Sequence, residues 1–223
     1  MQFEKSGLQF LCDLKKNNHR DWFAENKPRF KAAQDNAKAF YAAIRENLEK
    51  HDEIDKFKLF RIYRDVRFSK DKTPYQPHFA GSFSRKGKHL RGGYYLRIRP
   101  GESFLAGGFW EPNKEDLFRI RKEIEMDASE MRAILKEQNY VKYFGGKFEG
   151  SELKYAPRGF DKEHPDVDLL RKKGFIAVRN FTDIQVLDTN FLEELNVTYQ
   201  ALRPFFDYMS DVLTTNLNGE SIL

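Results

Sequence analysis

The run Arg61-Ile62-Tyr63-Arg64-Asp65-Val66-Arg67-Phe68-Ser69-Lys70-Asp71-Lys72-Thr73-Pro74-Tyr75 holds five cations, two carboxylates, two phenols and two hydroxyls. Guanidinium forks and ammonium groups bind phosphate and carboxylate oxygens, and phenol rings offer faces for stacked bases. In an enzyme, Asp65 or Asp71 would serve as acid or base while the arginines stabilise developing negative charge. Ser69 beside Lys70 is a weaker signal. A nucleophile needs its base within hydrogen-bond distance, and the lysine would have to lose its proton.

Strand alternation would put Phe60, Ile62, Val66 and Phe68 on one face and Arg61, Tyr63, Asp65 and Arg67 on the other. Arg64 then points into the core, so either a bulge turns it outward or a carboxylate such as Asp65 or Asp71 pairs with it. Asp71-Lys72-Thr73-Pro74 ends the strand as a turn with an extended exit. Further along, Tyr94, Leu96 and Ile98 face inward, while Tyr95, Arg97 and Arg99 share the opposite side, where His78 and Ser82 join them.

Three functions compete for this face. The first is binding of a phosphorylated small molecule or a nucleic acid, with Arg61, Arg64, Arg67, Lys70 and Lys72 on phosphates, Tyr63, Tyr75 and Tyr95 stacking, and Ser69, Asp65, His78 and Arg97 completing the site. The second is an enzyme acting on a phosphorylated or acidic substrate. The third is structural: the charges form an ion-pair network, coat a solvated sheet face, or meet an acidic surface on this chain, on a second copy or on a protein partner. From Lys56 to Arg99 there are 13 Lys or Arg against two acids, a local balance of +11. The whole chain carries +5, so the remainder sums to −6 and could supply such an acidic surface.

The elements that must position these residues follow from periodicity. Leu8, Phe10, Leu11 and Leu14 predict a helix ending at Asn17-Asn18. Asn26 as N-cap, Pro28 in the first turn and the stripe Phe30, Ala33, Ala37, Phe40, Ile44 and Leu48 predict a second. Four strands are expected over Phe57 to Phe68, His78 to Ser84, Gly92 to Arg99 and Ser103 to Trp110. Their connections are too short for a crossover helix, which makes an antiparallel meander and excludes a doubly wound sheet there. Asn113 caps a helix through Ile124, which restarts at Asp127 and runs to about Gln138. Tyr140 to Gly150 reads as loop, Asp166 to Lys172 as a short helix, and Phe175 to Phe181 as a strand. A final helix pair spans Phe191 to about Leu217, divided near Pro204. The whole is a single α+β domain over residues 1–223, with a meander of four to five strands and helices before and after it.

Composition supports this reading. With 40% apolar and 15% aromatic residues, 21 of them Phe, the chain can bury one substantial core. One cysteine, Cys12, forms no internal disulfide and reads as a core thiol. No signal sequence or membrane span is found, so a cytoplasmic protein without membrane association is expected, in which the sequons at Asn180 and Asn196 carry no glycan. Neither a cofactor nor a metal is expected: the five histidines lack paired ligand spacing, and Asp166-Val167-Asp168 is too common a pattern to imply one. GSFSRKGK, Gly81 to Lys88, has the wrong glycine spacing for a phosphate loop, and His89 stands where a magnesium-holding hydroxyl belongs. Gly107-Gly108 reads as a bulge or a close backbone contact.

Asn17-Asn18-His19-Arg20-Asp21-Trp22-Phe23, the Arg61 to Tyr75 block, Gly93-Tyr94-Tyr95, Gly101-Glu102-Ser103-Phe104 and Pro157-Arg158-Gly159-Phe160 together resemble the family known as domain of unknown function 2461. The resemblance covers most of the chain and implies one unit from the first helix to the last. It brings no activity, substrate or cofactor. Gln76 departs from the family pattern, in which a basic residue often stands.

Overall fold

In the computed structural model, residues 1–216 and 219–223 are described. Three helices open the chain: α1 (Lys5–Lys16), α2 (Arg20–Glu25) and α3 (Lys27–Leu48). The strands β1 (Ile54–Leu59), β2 (Phe79–Arg85), β3 (Gly93–Ile98) and β4 (Ser103–Phe109) follow. Next come the helices α4 (Lys114–Met126), α5 (Ser129–Lys136), α6 (Gln138–Phe144) and α7 (Val167–Leu170), then β5 (Phe175–Phe181), α8 (Asp183–Val186), α9 (Phe191–Gln200) and α10 (Arg203–Thr214). The strands form one antiparallel sheet in the order β1-β2-β3-β4-β5, an α+β architecture.

Two expected elements need correction. The first strand lies at Ile54–Leu59, not Phe57 to Phe68. Beyond Leu59 the backbone pairs only intermittently, through Phe60 N to Ala80 O, Gln76 N to Ile62 O and Arg64 N to Pro74 O. Pro74 and Pro77 have no N–H to give, so a regular ladder cannot continue opposite them. Phe68, expected in the core, is 97% exposed. Tyr140 to Gly150 was expected as loop but begins with helix α6, whose N-terminus is capped by the Glu137 carboxylate accepting from Tyr140 N at 2.9 Å. Tyr140 and Phe144, four residues apart, bury one face of it, and Gly145 ends it at φ 70°.

Elsewhere the local signals hold, sometimes by another route. Asn113 caps α4 through its side chain, which accepts from Asp116 N at 2.8 Å. Asn26 does precede α3, but its amide donates to Trp22 O instead of capping. Pro204 opens α10, as the expected division near it requires. The helix ends at Thr214, and the expected limit at Leu217 lies outside the described residues. Cys12 is half-buried rather than a core thiol. No helix among the described residues is long and apolar enough to cross a membrane.

The chain packs as two units. One comprises Met1–Phe83, Tyr95–Leu105 and Asn180–Asn196. In it α1 and α2 pack on α3, and the α3 stripe, Phe30 to Leu48, is buried. Tyr41 is fully buried and lies over Gly81, where an added Cβ would fall 2.6 Å from the ring. Its hydroxyl reaches the carbonyls of Phe79 and Leu96, each at 3.1 Å. The other unit comprises Ser84–Tyr94, Ala106–Arg179 and Val197–Leu223. There α10 packs on α4 and α5, and Phe205 and Phe206 meet Phe109 edge-on. Arg85, inside the rejected phosphate-loop sequence, is buried. It is held by Asp207 at 2.8 Å, Ser210 and the Arg91 carbonyl, so it shapes the core instead of receiving phosphate.

Gly108 makes the close backbone contact expected of it: a Cβ there would sit 2.2 Å from Phe175 O. Gly108→Ala should therefore destabilise the protein by more than about 2 kcal/mol, because backbone has to move. Gly101→Ala meets nothing within 4 Å and faces only the strain of φ +73°, about 1 kcal/mol. Urea unfolding of the two variants measures the difference.

Candidate functional site

The charged run folds as a loop from Phe60 to His78 tied down at its base. Asn18, just after α1, mimics a strand with its side chain: Nδ2 donates to Tyr75 O at 2.8 Å and Oδ1 accepts from Tyr75 N at 3.1 Å. An antiparallel bridge joins Tyr63 to Tyr75. The Tyr75 ring stacks on Phe23 of α2 at 4.1 Å, and the Tyr63 ring meets Phe23 and Phe30 edge-on. Tyr75 is thus buried and closed to a ligand, contrary to the expectation that it stacks on one, whereas Tyr63 is half-exposed.

The cations divide by what they touch. Arg64 does turn inward, with a side chain only 18% exposed, and it pairs with Asp71 as its burial demands. Its Nη1 donates to Asp71 at 2.5 Å, to the Thr73 carbonyl at 3.1 Å and to the Thr73 hydroxyl, and its Nη2 points to Ser69 Oγ at 3.4 Å. Lys72 caps the carbonyls of Val66 and Arg67. Arg67 forms a bidentate pair with Asp65, with one bond of 2.6 Å, on the exposed side of the loop. Ser69, Lys72 and Arg64 are therefore spent inside the loop, and Lys70 projects from it.

Both carboxylates are held in the charged form. The Thr73 N–H and hydroxyl, then Arg64, bring Asp71 down to about 2, and the Arg67 bonds lower Asp65. Neither is placed to donate a proton near neutral pH.

What remains faces an open cleft of about 640 Å³ lined by Lys58, Leu59, Phe60, Arg61, Tyr63, Arg64, Asp65, Gln76 and His78. Lys58 lies over the Phe60 ring at 5.2 Å. His78 connects the cleft with the outer face of β3 and β4. There Tyr95 sits between Phe60 and Phe104, and the Arg97 guanidinium covers Phe104 at 4.4 Å. The expected outward set Tyr95, Arg97 and Arg99 is on this face, all half-buried, while Tyr94, Leu96 and Ile98 are buried. Burial, then the fields of Arg97 and Arg99, push His78 down to about 4, against a weaker pull from Glu102. Lys58 and Lys15 escaped the sequence reading, and Glu102 and Phe104 entered it only through the family resemblance, not as site residues. The signal for Phe104 was its alternation with Ser103 and Leu105 in β4. Among the described residues no group of three or more His, Cys, Asp or Glu could hold a metal ion.

Two measurements test this description. Arg64→Ala should lower stability by about 1–3 kcal/mol by removing the charge-assisted bonds that shape the loop, and should open the loop to limited proteolysis. Arg67→Ala, at a side chain 77% exposed, should change stability by less than about 0.5 kcal/mol. The depressed His78 means that the unfolded chain takes up a proton below its ordinary 6.5 that the folded chain refuses until about 4. Stability should therefore fall as pH drops across that window, and His78→Asn should flatten the fall.

No curated protein and no solved structure matches the chain. One family model does, over residues 6–208, which include the Asn18 clamp, the charged loop and the outer face of β3 and β4. The chain belongs to the family described as conserved hypothetical protein (DUF2461).

Proposed function

We propose that this protein binds a phosphorylated ligand, or another anion of similar charge, in the cleft bounded by Lys58, Arg61, Tyr63, Gln76 and His78. The observation that carries this reading is the state of the cations. Arg64 and Arg67 are neutralised by Asp71 and Asp65, but Lys58 and Arg61 form no ion pair among the described residues. Neither cation has an ion-pair partner, Arg61 acting on Asp65 only at longer range; beside low-dielectric walls such charge raises the local concentration of anions, and the Arg61 fork matches two phosphate oxygens. Tyr63, Gln76 and neutral His78 add hydrogen-bonding groups, and the rings of Phe60 and Tyr63 offer apolar surface for the body of the ligand. A reducing, cytoplasmic setting suits a chain with one cysteine.

The middle of the motif supports a second, structural role. The Arg64, Asp71 and Thr73 bonds shape the loop that carries the cleft wall, so one sequence block serves both as scaffold and as site.

A thermal-shift screen against inorganic phosphate, pyrophosphate, nucleotides and short oligonucleotides tests the reading. A ligand at 100 times its Kd should add about 2.7 kcal/mol of stability. Arg61→Ala and Lys58→Ala should lose that gain while Arg67→Ala keeps it. For an oligonucleotide the affinity should also fall steeply with salt. Stabilisation by none of these anions, or equal stabilisation of the Arg61→Ala variant, would sink the proposal.

A further inference from the structure

Beside the cleft, three cations converge on one carboxylate. Lys15 comes from the last turn of α1, Arg97 from β3, and Arg99 and Glu102 from the turn between β3 and β4. Glu102 Oε1 lies 3.5 Å from Lys15 Nζ; its Oε2 lies 3.4 Å from Arg99 Nη1 and 4.0 Å from Arg97 Nη2. All three separations exceed the roughly 2.7–2.9 Å of a strong charge-assisted hydrogen bond. One carboxylate shared by three cations leaves a surplus of two positive charges. The cluster is also short of acceptors: Arg97 Nε and Arg99 Nε are buried without a hydrogen-bond partner. Buried donors of this kind are normally satisfied, by protein, water or ligand.

The backbone at Glu102 is pinned while its side chain is not. Glu102 N donates to Arg99 O at 2.9 Å, Ser103 Oγ bonds the N–H and carbonyl of Arg99, and Gly101 N donates to Asp183 at 2.8 Å. Arg97 is anchored independently of the carboxylate, through Nη2 to the Glu102 carbonyl at 3.2 Å and by its stacking on Phe104. The Glu102 side chain is 46% exposed and can rotate into water without disturbing the turn. The cations would stay in place, with their charge less compensated.

We infer that Lys15, Arg97 and Arg99 form the seat for a phosphate dianion, the charged end of a phosphate monoester, and that Glu102 occupies this seat in the free protein as an internal competitor. The inference rests on the reading of the adjacent cleft and gives it a second anion seat, with His78 between the two. A phosphate with three terminal oxygens can accept from all three cations at once, which a carboxylate at these distances does not. Its two negative charges match the surplus that remains when Glu102 swings out.

The test is titration of the full-length protein with inorganic phosphate, read by calorimetry and by the NMR titration of His78. If Glu102 holds the seat about nine-tenths of the time, Glu102→Gln should tighten phosphate binding about tenfold, since apparent affinity scales with the fraction of binding-competent protein. Glu102→Asp, which keeps the charge on a shorter arm, should fall between the two. Arg99→Gln and Arg97→Gln should weaken binding at least tenfold. Saturating phosphate should raise the His78 pKa, because it offsets the fields of Arg97 and Arg99 that now depress it. Unchanged or weaker phosphate binding by a folded Glu102→Gln variant overturns the seat. If Arg61→Ala abolishes binding in that same case, the cleft reading survives without it. If millimolar phosphate binds neither the parent nor the Glu102→Gln protein, the seat falls, and the cleft reading then stands or falls with the other anions of the thermal-shift screen.

Discussion

The ring of Tyr41 lying on Gly81 is the contact from which the unit that carries the site can be understood. A helix can approach a sheet this closely only where a strand residue has no side chain, and the buried phenol must then satisfy its hydroxyl, which it does on carbonyls of β2 and β3. That contact sets α3 against the strands. With α3 placed, Phe23 of α2 and Phe30 of α3 form a surface on which Tyr63 and Tyr75 rest, and the loop between those two residues is held at its base. A loop so rich in charge could not be ordered by apolar packing alone. Its internal order comes from charge-assisted bonds, and its attachment comes from aromatic rings and one asparagine.

The high density of charge in the loop hides a division of labour. A guanidinium turned toward protein must bring its own partners, and Arg64 finds them in Asp71, Thr73 and Ser69, all within the loop. Arg67 finds Asp65 two residues away. Once these pairs are made, two carboxylates have been consumed and Arg61 and Lys58 remain unmatched, facing a cleft with aromatic walls. The same logic operates at the β3–β4 turn, where Glu102 is outnumbered three to one. Surplus positive charge that the fold does not neutralise, in places a solute can reach, is the common feature of both proposals. His78 lies in both settings, and burial, then Arg97 and Arg99, lower its pKa.

Much of the architecture was legible in the sequence, since periodicity and caps are local properties. The stripe of α3, the inward set Tyr94, Leu96 and Ile98, the strand Phe175–Phe181 and the alternative of a bulge or a carboxylate for Arg64 all followed from spacing and from the energetics of burying charge. The errors came where local pattern and pairing disagree. Alternation continues past Leu59 in the residues but not in the backbone, because two prolines stand opposite. Helix α6 escaped notice because seven residues capped by a glutamate leave little periodic signal.

For function the boundary falls elsewhere. The sequence by itself determined that positive charge and aromatic rings are concentrated between Lys56 and Arg99, that Arg64 needs either a bulge or a carboxylate, and which residues of β3 face outward, because each of these depends on residue type and on separations of a few positions. Only the tertiary structure decided which cations remain available. It brought Phe23 onto the Tyr75 ring, which closes it, and it brought Lys15 to Glu102 across 87 residues. The reason is that neutralisation acts through space at a few ångströms. Whether a charge is compensated is a property of its neighbours in the fold, and no local pattern along the chain records them.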